Sequence, residues 1–88
     1  MDSQQYTLRA ASSDDSVAIR TIAYLDSARV PDADALVGEV NGEIVAVITM
    51  RDGVVVADPF RPTQAVVDLL RSRRRGRALL AYVNASTT

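Results

Sequence analysis

Cysteine, histidine, lysine and tryptophan are all absent from this 88-residue chain. Without cysteine there is no disulfide framework to support the fold. Without cysteine and histidine the usual zinc and transition-metal sites cannot be built, which leaves only weak carboxylate sites. Histidine-dependent triads and histidine general bases go with them. The missing lysine excludes Schiff-base chemistry and the lysine of a Walker phosphate loop, so all ten basic residues are arginines. No apolar run approaches the roughly 20 residues of a membrane span. The opening MDSQQYTLRAASSDD lacks the basic and apolar regions of a secretory signal. A cytoplasmic protein with no membrane partner is the expectation.

What remains is ordinary globular material, 48% hydrophobic and 24% charged, enough for one small domain with a single modest core. The net charge of −1 hides an asymmetry. Residues 1–60 hold four arginines against ten acids, and residues 61–88 hold six arginines against one aspartate. Such a separation favours docking between surfaces or between chains.

Tyr6 to Ala10 reads as a first strand. Ser12-Ser13-Asp14-Asp15 supplies cap candidates and first-turn acids for a helix over about Ser13 to Ser27, with Ala18, Ile22 and Leu25 as its stripe, broadened by Ile19 and Ala23. ALVGEV and EIVAVITM flank Asn41-Gly42, a dipeptide that accepts the two positive φ angles of a tight hairpin. Arg51-Asp52-Gly53 makes a second turn, and Val54 to Ala57 continues a three-strand meander. After Pro59 and Pro62 a second helix has Ala65, Val66, Leu69 and Leu70 as its apolar face, and Gly76 as its expected end. ALLAYV, Ala78 to Val83, fits a last strand or a helical extension. The expected organisation is a flexible 1–5, a folded unit 6–76 and a C-terminal segment 77–88, disordered from about 84. The fold class is α+β (α/β): β-α-β-β-β-α, with an antiparallel meander and two helices.

This order, and the segments LRAASSDDSVAIRTIAYLD, VGEVNGEIVAVITM and VVVADPFRPTQAVVDLL, resemble the N-terminal half of the GNAT superfamily of acyl-CoA-dependent N-acetyltransferases. The resemblance covers about residues 6–72. In that family a strand ends in a proline-containing turn, followed by an aromatic, an arginine and a glycine-rich loop whose N–H groups hold the CoA pyrophosphate. Phe60 and Arg61 take the aromatic and arginine positions, and Leu69 and Leu70 the apolar pair on the following helix. Pro62, Gln64 and Val66 stand where the family's loop has small, mostly glycine residues. Pro62 has no N–H to donate, and Val66 places a branched side chain where a backbone must approach an anion. The chain also lacks counterparts of the family's later strands.

The resemblance implies an acyl-CoA site at Val54, Val56 and Asp58 on the strand edge and at Arg61, Thr63, Gln64 and Ala65 around the helix start. The altered loop turns the expectation elsewhere: a truncated GNAT-like domain without acetyltransferase activity of its own, working as an interaction or assembly module. It is expected to be a homodimer, or to join a protein partner, at the open C-terminal edge and hydrophobic side of the sheet. No cofactor is expected, with acetyl-CoA as the alternative if the chain is the acyl-CoA-binding half of an enzyme completed by dimerisation or a partner subunit. RSRRRGR, Arg71 to Arg77, raises nucleic-acid binding as a third possibility. The acidic overall balance and the lack of interleaved aromatics speak against it, and the simpler reading is of helix-end arginines favoured by the dipole. Asp26, Glu39, Glu43 and Asp58 are formal general-base candidates, and Tyr24 and Tyr82 read as packing residues.

Overall fold

A computed structural model describes residues 4–31 and 34–86, the side chains of 78–86 excepted. The elements are β1 (Tyr6–Ala10), a 3-10 turn (Ser13–Asp15), α1 (Ser16–Leu25), β2 (Ala35–Val40), β3 (Glu43–Thr49), β4 (Val55–Ala57) and α2 (Gln64–Ser86). All strands join one antiparallel sheet in the order β1-β2-β3-β4. This is the α+β arrangement read from the sequence.

The β2–β3 hairpin turns on Asn41 and Gly42, with φ of 51° and 89°. Both are positive, as a two-residue primed turn requires. Asn41 also holds the start of the chain. Its N–H donates to the Gln5 carbonyl at 2.8 Å, and its Oδ1 accepts the Gln5 N–H at 2.9 Å. Met1 to Ser3, the rest of the segment expected to be flexible, lie outside the described residues, as do Thr87 and Thr88 at the tail.

The two helices lie on opposite faces of the sheet. Leu36, Val40, Val45, Ala46 and Ile48 meet Val66, Val67 and Leu70 of α2 on one face. Ile19, Ile22 and Ala23 of α1 cover Ala35, Val37, Val47 and Val56 on the other. The central strands are therefore buried on both faces, so β2 and β3 are apolar without strict alternation. This corrects the expectation of a hydrophobic sheet face awaiting a partner: over β2 and β3 both faces are covered within the chain. Gly38 permits the approach of α2, since a Cβ there would stand 2.5 Å from Val66 Cγ2.

α1 stops without glycine. Ser27 adopts φ 53°, the Ala28 N–H reaches the Ala23 carbonyl at 2.8 Å, and the Ser27 N–H reaches Tyr24 at 3.2 Å. That is the bonding pattern of a Schellman C-cap, with serine in the left-handed position.

α2 departs from expectation twice. Its buried face is Val66, Val67 and Leu70, while Ala65 and Leu69 are exposed, a rotation by about one residue. It also runs through Gly76 to Ser86, so the chain after Arg77 forms the helical extension and not a last strand. A lone glycine costs about 1 kcal/mol in a helix interior. With good helix formers such as Ala78, Leu79 and Leu80 following it, that cost does not end the helix.

Candidate functional site

The segment before α2 is built by local hydrogen bonds. Asp58 Oδ1 accepts the Phe60 N–H at 2.9 Å, an Asx-type turn, and the Asp58 carbonyl accepts the Arg61 N–H at 3.4 Å. Pro62 then leads to Thr63, whose carbonyl accepts the Val67 N–H at 2.9 Å. Gln64 Nε2 donates to Asp68 Oδ1 at 3.1 Å. Arg61, Thr63, Gln64 and Ala65 do come together at the helix start. Arg61, however, reaches Glu43 on β3, Nη1 to Oε1 at 3.3 Å, and not Asp58. Phe60 stands 78% exposed beside it.

The strand-edge residues fall on the wrong side for a ligand. The Val54 carbonyl accepts the Thr49 N–H at 3.0 Å, the Asp58 N–H donates to the Val45 carbonyl at 2.9 Å, and Val56 sits opposite Val47. Antiparallel pairing alternates direction along the chain, so the backbone groups of Val54, Val56 and Asp58 serve β3 and those of Val55 and Ala57 point outward. The outward Ala57 N–H already donates to Asp26 Oδ2, at 3.2 Å, from the end of α1. The C-terminal sheet edge is thus three residues long and partly capped by its own chain.

The other edge was missed by sequence reasoning. The Ala11 N–H bonds to the Ala35 carbonyl at 2.9 Å and the Gln5 carbonyl accepts from Asn41 at 2.8 Å, which fixes the odd-numbered residues of β1 toward β2. Tyr6, Leu8 and Ala10 therefore turn their N–H and C=O groups outward. Among the described residues only the Ala10 carbonyl among these groups has a partner, Arg9 Nη1 at 3.3 Å. Beside this edge Leu8, Leu69, Ser72, Arg73, Gly76 and Arg77 line a recess of about 430 Å³. Tyr6 and Leu69 are 40% and 42% exposed. No local signal marked it, because the place of β1 beside β2 is set by pairing between distant residues, Tyr6 with Val40 and Ala10 with Leu36.

The acids considered as general bases are engaged in structure. Asp26 caps Ala57, Asp58 caps Phe60, Glu43 pairs with Arg61, and Glu39 accepts from Arg9 Nη2 at 3.0 Å. Arg9 also grips Asp15 in bidentate fashion, at 2.8 and 2.9 Å, and the Ser12 N–H adds a third bond to the same carboxylate at 2.8 Å. Arg9 first, and then Ser12, hold the Asp15 carboxyl well below the usual carboxylate range. The two acids in turn raise Arg9 above its ordinary value. This cluster is saturated with partners and has the character of a structural pin. Asp52 is likewise lowered, by the Thr49 hydroxyl and then the Val54 N–H, and serves the turn before β4.

Tyr24 is 83% exposed on α1, not packed as expected, and the Tyr82 side chain lies outside the described residues. Among the described residues no helix is long and apolar enough to cross a membrane, and no group of three acids is placed to hold a metal ion. No protein-family model, curated protein or solved structure matches the chain.

Proposed function

We propose that the chain is an assembly module, resembling the N-terminal half of a GNAT domain, that self-associates through β1 and has no acetyltransferase site of its own. One observation carries this reading: Tyr6, Leu8 and Ala10 present an outward row of backbone donors and acceptors with an apolar recess beside it. A second copy is the natural occupant. Antiparallel pairing about Leu8 sets Leu8 against itself and Tyr6 against Ala10, an isologous contact of about six backbone hydrogen bonds. Such pairing also protects an edge that has no proline, no bulge and a single inward-facing charge, Arg9, already neutralised.

The competing acyl-CoA reading is weakened by what occupies its two contact sets. Asp26 takes an outward N–H of β4, and Glu43 takes Arg61.

Sedimentation across micromolar concentrations tests the proposal. The wild-type chain is expected to be dimeric, and Ala10→Pro, which deletes an outward N–H and spares the bonds to β2, monomeric with an unchanged circular dichroism spectrum. A wild-type chain that stays monomeric at high concentration refutes self-association. Saturating amide shifts confined to Val55–Ala65 on adding acetyl-CoA would replace the reading with the acyl-CoA-binding half of an N-acetyltransferase.

A further inference from the structure

The arginine-rich stretch of α2 does not sit at the helix end expected for it. The helix continues to Ser86, well past Arg77, so the negative end of the dipole is not where these arginines lie. Nor do they share one surface. Arg73 and Arg77 line the recess beside Leu8 and the β1 edge, the surface proposed above for a second copy. Arg71, Arg74 and Arg75 line a different recess, of about 210 Å³, together with Ile48, Asp52 and Gly53 where β3 turns toward β4. At 3.6 residues per turn the two sets fall on either side of the buried Leu70, so the second recess stays open when β1 is paired.

Arg74 is fixed in place. Its Nε donates to the Met50 carbonyl at 3.0 Å and its Nη2 to the Arg51 carbonyl at 3.3 Å. The guanidinium lies against Gly53, where a Cβ would stand 3.0 Å from both Cζ and Nη1. Two of the five N–H groups are thus used, and among the described residues Nη1 has no partner. Arg71 precedes Arg74 by three residues and Arg75 by four, the spacings that share a helix face. Both are exposed, and among the described residues neither makes an ion pair. The neighbouring acids are engaged elsewhere. Asp68 accepts from Gln64 Nε2 at 3.1 Å, and Asp52 holds the Thr49 hydroxyl and the Val54 N–H. Three guanidiniums against the single carboxylate of Asp52 leave the lining with an excess of positive charge.

We infer that this recess binds the terminal phosphate of a small soluble molecule, with Arg74 as a pre-set fork and Arg71 and Arg75 closing on the remaining oxygens. Guanidinium groups take phosphate oxygens in pairs, and a phosphate monoester near neutral pH carries close to two negative charges, which answers the excess. The volume is below the roughly 300 Å³ at which sites for whole drug-sized ligands begin, so the recess takes the phosphate group and leaves the rest of the molecule in solvent. A longer polyanion or a lipid surface would lay further negative charge against Asp52 and Asp68, both exposed here.

Inorganic phosphate, titrated slightly above neutral pH and at constant ionic strength into isotopically labelled full chain, tests this by NMR. Saturating shifts are expected at the Arg74 side-chain Nε–H and at the Asp52, Gly53 and Arg71–Arg75 amides, with acetate, a monoanion, binding more weakly. Arg71→Gln with Arg75→Gln, which leaves Arg74 in place, is expected to weaken phosphate binding about tenfold, as the loss of two exposed ion contacts. Arg73→Gln with Arg77→Gln, on the other flank of α2, is expected to leave it unchanged. Circular dichroism establishes that each variant is folded. Shifts that grow without saturating, an equal response to acetate, or equal loss with both double variants overturns the inference. Binding to vesicles containing phosphatidic acid without a response to free phosphate does so in favour of a membrane surface.

Discussion

At the scale of single residues, small side chains set how closely α2 lies on the sheet. Gly38 is the decisive one, because it sits mid-strand in β2 under Val66 and Leu70, where a methyl group would stand 2.5 Å from a branched side chain that is itself fully buried. Gly38→Ala is therefore expected to lower stability by about 1–3 kcal/mol despite the better strand propensity of alanine, the usual range for overpacking a filled core. Urea unfolding measures this directly, and an unchanged or raised midpoint would mean that α2 floats over the sheet without interlocking. In the sequence Gly38 interrupts an otherwise good strand shortly before the Asn41-Gly42 turn, yet nothing there says which face must admit a helix. Asn41-Gly42 was legible because its backbone requirement is local. Gly38 was not, because its requirement comes from residues about thirty positions away.

At the scale of elements, all four strands and both helices were readable, because their apolar spacing and turn chemistry act over a few residues. What failed depended on neighbours. The face of α2 was placed about one residue from its true position because Ala65, Val66, Val67, Leu69 and Leu70 are apolar on both sides of the true centre, and only packing against Leu36 and Ile48 selects Val66, Val67 and Leu70. The edge of β4 was read as open because its sequence carries no sign that Asp26, thirty-one residues earlier, caps it. Asp26→Ala should therefore speed amide exchange at Ala57 while leaving the inward-bonded Val56 amide slow. Hydrogen-exchange NMR distinguishes the two residues. If Ala57 exchanges no faster in the variant, Asp26 does not guard that edge, and β4 regains its claim as a docking strand.

Across the whole molecule, one ion cluster joins parts that the sheet alone leaves loosely connected. Arg9 projects from the edge strand β1 toward the turn that opens α1 and toward the central strand β2, through Asp15 and Glu39. The strand proposed to carry a second copy is thus fastened by side chains as well as by its ladder. Asp15 is buried, its carboxyl is held far below its ordinary value, and Arg9 remains charged throughout. A depressed folded-state value means that the stabilisation is fully present above the unfolded value of about 4 and is lost as pH falls through the folded one. Asp15→Asn should therefore cost about 1–3 kcal/mol at pH 7, the range for breaking charge-assisted hydrogen bonds of this kind. The gap between wild type and variant should close progressively in acid below about pH 4, because the wild-type chain is then losing what the variant never had. Urea midpoints measured from pH 7 to pH 2 decide the matter. Parallel curves would show that the ionised Asp15 contributes nothing beyond its shape, and that β1 is held by its backbone bonds to β2 alone.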